Sequence, residues 1–322
     1  MKKRFIAKKK KKKISYKFFF FFLLFIISLV FSFKSLLKSS IKIDDKELVN
    51  ILLNASNHHN KYDYSILNKV ISTISNIDYA SPASLIDSNY KKLTVSKKSK
   101  ETKLEVKNEN TSTNELIYIY NTHQTEEYAA SNFIEYSVKP TVQMANYILE
   151  DVFNKNNFYT KVEEEKVKDI LNINGWNYAK SYQASRILLE NAKSTSPSLK
   201  YFIDLHRDSL SKDKTTIEIN NKSYARTIFL IGLENKNYEE NLAFTTKIND
   251  KLNEKYPNLS KGIYKKGGEG VNGVYNQDFS PYTILIEIGG KDNTVDEVLN
   301  STLAFAECFM EVISQNEGRK DY

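Results

Sequence analysis

His123 and His206 each close an apolar run: Ile117-Tyr118-Ile119-Tyr120-Asn121-Thr122 precedes the first, and Tyr201-Phe202-Ile203-Asp204-Leu205 precedes the second. Acids accompany both. Glu126 and Glu127 follow His123, while Asp204 and Asp208 flank His206. Neutral imidazoles and a carboxylate delivered to one rim of a sheet are the donor set of a catalytic zinc site, which keeps a fourth position open. A further carboxylate, Glu287, sits inside Tyr282-Thr283-Ile284-Leu285-Ile286-Glu287-Ile288. A charge buried in such a strand must be paired, protonated or metal-linked. Its plain reading is a salt bridge to Arg207 or a lysine; its chemical reading is a general base whose pKa burial lifts. The plain reading of the two histidines is that each caps a strand and binds nothing. Recurrence at two strand ends, each beside acids, favours the metal.

Positioning these groups requires a sheet, because open α/β sheets gather their ligands at the carboxyl ends of strands. The apolar pattern alternates between strand and helix. It predicts strands over 115–121, 158–163, 199–205, 215–219, 225–230 and 282–288. Helices are expected from Pro140, with Val142, Ala145, Ile148, Leu149, Val152 and Phe153 at the 3.6 spacing, then over 176–191, 237–253 and 294–314. Such alternation predicts an α/β domain over 115–322, with a mainly parallel sheet flanked by helices. Upstream, 44–78 reads as a short helical stalk and 90–114, poor in bulky apolar residues, as a linker, so 38–114 is assigned to stalk and linker. Cys308 lies among apolar residues on a helical face and reads as a small buried hydrophobe. The Gly267–Gly273 stretch lacks the context of a phosphate loop, and Ser209 lacks a nucleophile elbow.

The formal charge of +8 does not mark a nucleic-acid binder. Ten of the 47 basic residues fall in residues 1–17, where no acid occurs, so the remainder holds 37 basic against 39 acidic residues. That balance gives no counterion-releasing surface beyond the N-terminus. Phe18 to Phe33 follows without a charge. With its flanks it approaches the roughly 20 residues that a bilayer core needs. The expectation is a basic cytoplasmic tail over 1–17 and a transmembrane anchor over 18–37, with everything beyond outside the membrane. A cleaved signal peptide is the competing reading, but bulky Phe-Ser-Phe-Lys-Ser-Leu-Leu offers no small-residue cleavage site.

Four segments carry a family resemblance: Ile119-Tyr120-Asn121-Thr122-His123-Gln124-Thr125-Glu126, Asp204-Leu205-His206-Arg207-Asp208, Val274-Tyr275-Asn276-Gln277-Asp278-Phe279-Ser280-Pro281, and Leu285-Ile286-Glu287-Ile288-Gly289-Gly290 with Asn293-Thr294. In them the chain resembles the stage II sporulation protein P family, membrane-anchored N-acetylmuramoyl-L-alanine amidases. The resemblance implies a zinc amidase fold with a sheet of about six strands, and a zinc ion held by His123, Glu126 and His206. Glu135 is the alternative third ligand. It implies that Glu287 is the catalytic glutamate. By their chemistry, Arg207 is expected to anchor a stem-peptide carboxylate or hold a ligand in place, and Asp204 and Asp208 to orient imidazoles. The implied substrate is peptidoglycan, cut between muramic acid and L-alanine during septal or engulfment remodelling in sporulation, with a lytic transglycosylase as partner. A zinc carboxypeptidase acting on stem peptides shares the HxxE element and distant His. A non-enzymatic anchored scaffold is the reading without chemistry.

Overall fold

The computed structural model describes residues 16–40, 44–49, 114–129 and 140–319. Glu135, His58, His59 and the 90–113 part of the expected linker lie outside the described residues. The chain divides into two units. One contains helix α1, Tyr16–Ser40, whose side chains are described for 20–32 and are exposed throughout. The expected anchor falls on this helix. Among the described residues no helix is long and apolar enough to cross a membrane.

The other unit carries the alternating elements. Its six-stranded sheet is built from β1 (Ile117–Tyr120), β2 (Thr160–Val162), β3 (Tyr201–Asp208), β6 (Thr227–Gly232), β7 (Ser260–Lys266) and β8 (Thr283–Gly290), in the order β2-β1-β3-β8-β6-β7. A separate hairpin joins β4 (Thr216–Ile219) to β5 (Lys222–Ala225). All neighbours in the large sheet are parallel except β6 and β8. The longer helices are α2 (Val142–Lys155), α3 (Val167–Ile173), α4 (Ser181–Thr195), α5 (Tyr238–Lys255) and α6 (Val295–Glu317), and a single helical turn, Lys212–Thr215, precedes β4.

The two faces of the sheet are covered unequally. Ile117 and Ile119, Tyr201, Ile203 and Leu205, Phe229, and Ile284, Ile286 and Ile288 point to one face, where they join α2, α5 and α6 in the main core. Each fully buried aliphatic or aromatic side chain there contributes about 1.5–3 kcal/mol. Strand alternation sends Tyr118, Tyr120 and Phe202 to the opposite face, against Leu189 and Ala192 of α4. Asp204, His206, Leu285 and Glu287 continue that second face. Cys308 is fully buried on α6, and burial pushes its thiol up to about 12.

Two local devices fix the carboxyl end of β8. The β3 and β8 register shifts between His206 and Asp208, where Arg207 faces an extra residue on β8. Gly289 takes φ +68 there, and a Cβ would lie 2.9 Å from both Ala225 Cβ and Asn293 Oδ1, so only glycine fits. Downstream, Asn293 Oδ1 accepts from Gly290 N at 2.7 Å, and Thr294 with Glu297 closes a capping box on α6.

One feature extends the folded unit beyond the sequence expectation. Residues 45–49 form a helical turn, and Leu48 and Val49 are buried in the main core at 0% and 2% exposure. Part of the segment read as stalk therefore packs on the domain itself.

Candidate metal centre

The loop after β1 is bound tightly to its surroundings. Asn121, buried, donates its amide to Leu205 O at 2.6 Å and exchanges hydrogen bonds with Asn146 of α2. Thr122 donates its N–H and Oγ1 to the two oxygens of Asp204, at 2.9 and 2.7 Å. His123 follows directly. Its ring stacks on Tyr178 at 4.8 Å between centroids and meets His206 edge-on at 5.3 Å.

His206 sits between two carboxylates. Its Nε2 lies 2.9 Å from Asp204 Oδ1, off the line of a hydrogen bond, and its Nδ1 lies 3.8 Å from Glu126 Oε2. Glu126 Oε2 in turn accepts Arg207 N–H at 2.9 Å. Across the sheet, Glu287 is the register partner of His206 on β8, and it is the one position of that strand that is not buried. The structure thus brings His123, Glu126, His206 and Glu287 to one rim of one sheet face.

Charge and burial set the protonation of these groups. Burial, helped by the charge of His206, pulls His123 down to about 4, which leaves it in the neutral form that ligates metals. For His206 burial also works downward, but Asp204 and the other acids outweigh it and lift the ring to about 9. Burial raises Glu126 above the usual carboxylate range. Glu287 is raised as well, first by burial and then by Asp208, while His206 and Lys266 pull the other way.

The donor set suits zinc. Buried His123 Nδ1 has no hydrogen-bond partner, which is costly unless something binds there, and His206 turns Nδ1 toward Glu126 while its Nε2 faces Asp204. Two imidazoles on one tetrahedral ion place their ring centroids about 5 Å apart, and two donors at 2.0–2.1 Å stand about 3.4 Å apart. The observed 5.3 Å matches the first spacing, and 3.8 Å is wider than the second. Among the described residues no three His, Cys, Asp or Glu groups already stand in ligating geometry, so closure on an ion requires side-chain rotation at this rim.

Arg207 is engaged elsewhere. Its Nε donates to Glu127 O at 2.9 Å and its Nη1 to Asp208 O at 3.0 Å, so the guanidinium braces the loop that carries Glu126. The salt bridge considered for Glu287 is absent among the described residues. Several contributors were not legible in the sequence. Tyr178 comes from the turn before α4, 63% exposed beside His123. Register places Tyr264 and Lys266 of β7 on the same face as Leu230 and Glu287; Leu230 and Leu285 there are buried with Tyr275 and meet Tyr182 of α4, while Tyr264 at the edge is 47% exposed. Asn276 donates to Tyr182 O and Ser185 Oγ, while Gln277 bonds Gly232 N and Leu230 O, so the 274–281 motif braces this floor.

Fold and site together define an α/β protein with a two-histidine, two-carboxylate centre at a sheet rim. The chain belongs to the stage II sporulation protein P (SpoIIP) family, whose profile matches residues 38–310. Stage II sporulation protein P of Bacillus subtilis (strain 168) is 36% identical over 204 residues, covering 61% of this chain and 51% of the relative. The chain therefore spans about half the length of the curated relative it matches. Among solved structures, the CwlD amidase from Clostridioides difficile, solved in complex with the GerS lipoprotein, aligns with TM-score 0.40 at 12% identity over 62% of this chain and 99% of that one. A metallo-carboxypeptidase from Burkholderia cenocepacia aligns with TM-score 0.37 at 9% identity over 63% of this chain and 57% of that one.

Proposed function

We propose that the chain is a zinc-dependent N-acetylmuramoyl-L-alanine amidase that remodels peptidoglycan during sporulation. The observation that carries this reading is the pair of imidazoles 5.3 Å apart, with Glu126 beside His206 and Glu287 its register partner. His123, Glu126 and His206 would hold the ion, which when bound supplies Lewis acidity to the scissile amide. Asp204 orients His206, a placement that outer carboxylates commonly take around metal-binding histidines. Glu287 accepts a proton from the attacking water on its carboxylate and delivers it to the departing L-alanine nitrogen, a transfer suited to a carboxylate with a raised pKa. The exposed edge of the sheet bearing Tyr264 and Lys266 receives the acidic stem peptide.

Digestion of purified sacculi by the zinc-loaded protein tests the bond assignment. Intact stem peptides freed from muramic acid are the expected products. Single terminal amino acids would instead identify a carboxypeptidase. No cleavage together with no stoichiometric zinc would leave a scaffold.

The anchor belongs to the same proposal. No described helix is by itself long and apolar enough to cross a membrane; the uncharged run Phe18 to Phe33 would reach a span only with its flanks and snorkelling lysines, leaving residues 1–17 cytoplasmic and the domain outside beside a lytic transglycosylase. Full-length protein in isolated membranes should resist an alkaline carbonate wash and expose its domain only to protease added from outside. Release into the wash overturns the anchor.

A further inference from the structure

The metal-binding loop is tied to a residue far upstream of the sheet. Asp45 Oδ1 accepts Thr141 N–H at 2.9 Å and Asp45 Oδ2 accepts Thr141 Oγ1 at 2.6 Å. Thr141 is the N-cap of α2, its own Oγ1 accepting Gln143 N–H at 3.2 Å. It also forms an isolated antiparallel bridge with Glu127. The residues on either side of Thr141 complete the link: Val142 N donates to Glu126 O at 3.0 Å, and Tyr128 N donates to Pro140 O at 2.8 Å. Glu126 then reaches β3 through Arg207 N. The link runs from Asp45 through its hydrogen bonds to Thr141 and, across the Thr141–Val142 peptide, through Val142 N–H to Glu126 O.

The upstream turn is itself secured. Asp44 Oδ1 caps it by accepting Glu47 N–H at 2.8 Å, Leu48 and Val49 are buried in the core, and Lys46 pairs with Glu164 while lying 5.4 Å above the Tyr147 ring. Burying two aliphatic side chains contributes about 1.5–3 kcal/mol each, ample to hold the turn in place. The exposed Lys46 pair adds little.

We propose that Asp45 is a positioning residue for the metal-binding loop, so that the 44–49 turn is an integral brace of the site and no part of a passive stalk. This deepens the zinc reading and rests on it for the role of Glu126. The loop around Glu126 faces the rim on one side and this brace on the other. Without Asp45, Thr141 keeps its place on α2 but loses the partner that fixes its N–H and hydroxyl, and the Glu126 backbone is free to shift.

The test uses full-length protein with Asp45→Asn, Thr141→Ser and Thr141→Val. Asparagine keeps the shape but loses one acceptor and the charge; serine keeps both donors; valine removes the hydroxyl alone. Amide exchange over 124–128 and 204–208, measured without metal, should quicken in Asp45→Asn and Thr141→Val and stay at the parental level in Thr141→Ser. Zinc competition against a chelator should show about tenfold weaker binding for Asp45→Asn, at the low end of the loss seen when supports of a metal ligand are removed. The cobalt-substituted spectrum should shift in the same variant. Lower melting temperature with unchanged loop exchange and unchanged zinc affinity would reduce Asp45 to a helix cap and overturn the proposal. If the parent protein binds no zinc, the metal reading fails, and the exchange data still decide the brace. Should Asp45→Asn not fold, parental exchange in folded Thr141→Val would overturn the brace.

Discussion

Glu287→Gln should bind zinc with parental stoichiometry, melt within a degree or two of the parent, and lose 10²- to 10⁴-fold in the rate of sacculus digestion, the usual range for removing a general base. At about 1.4 kcal/mol per decade, that loss is about 2.8–5.6 kcal/mol of transition-state stabilisation. The selectivity follows from where the residue stands. Its neighbours Ile286 and Ile288 are fully buried in the core, whereas Glu287 lies on the opposite face, is only partly buried and has no salt bridge among the described residues. The amide therefore fits the same space and disturbs no partner. What it loses is the capacity to take and return a proton. Metal content, thermal unfolding and peptide release measured on one preparation separate the outcomes. Turnover close to the parent's would remove Glu287 from the mechanism.

The sheet was legible because most strands alternate or run apolar between turn residues. β7 was not. Its sequence Ser-Lys-Gly-Ile-Tyr-Lys-Lys belongs to an edge strand with one uncovered face, so only Ile263 packs against the main core and no apolar period emerges. α3 was too short to show a helical period, with only Val167 and Leu171 buried. The 44–49 turn escaped for a related reason: two buried residues, Leu48 and Val49, give no pattern, and their partners on α2 lie far along the chain.

The same logic divides the site. His123, His206 and Glu287 were visible because each interrupts or ends an apolar run, and the structure does bring them to one rim. Glu126 was visible from its spacing to His123. Tyr178, Lys266 and Asp45 reach the site by tertiary placement alone, and their local sequence carries no sign of it. Arg207 is expected from its chemistry to anchor a stem-peptide carboxylate or hold a ligand in place; its hydrogen bonds to Glu127 O and Asp208 O tie it to the loop that carries Glu126.

Asp204→Ala should both destabilise the fold and weaken metal binding. The carboxylate is fully buried and serves two segments at once: Thr122 donates to it twice from the end of β1, and His206 lies 2.9 Å away on β3. Removing it strands the Thr122 N–H, leaves the Thr122 hydroxyl with Ser185 Oγ alone, and takes the carboxylate from beside His206 Nε2. Breaking a buried charged contact of this kind costs about 3–5 kcal/mol. Chemical denaturation should register that loss as a lower midpoint with an unchanged slope. Zinc affinity should fall about 10- to 100-fold, because the ring of His206 loses the group that fixes its orientation. Asp204→Asn distinguishes the two effects. It fills the same volume and keeps one oxygen for Thr122, so most stability should return, while a neutral amide cannot serve His206 as the carboxylate does and zinc binding should remain weak. Equal recovery of stability and zinc affinity in Asp204→Asn would show that packing alone matters there, and that the carboxylate has no part in holding the imidazole for a metal.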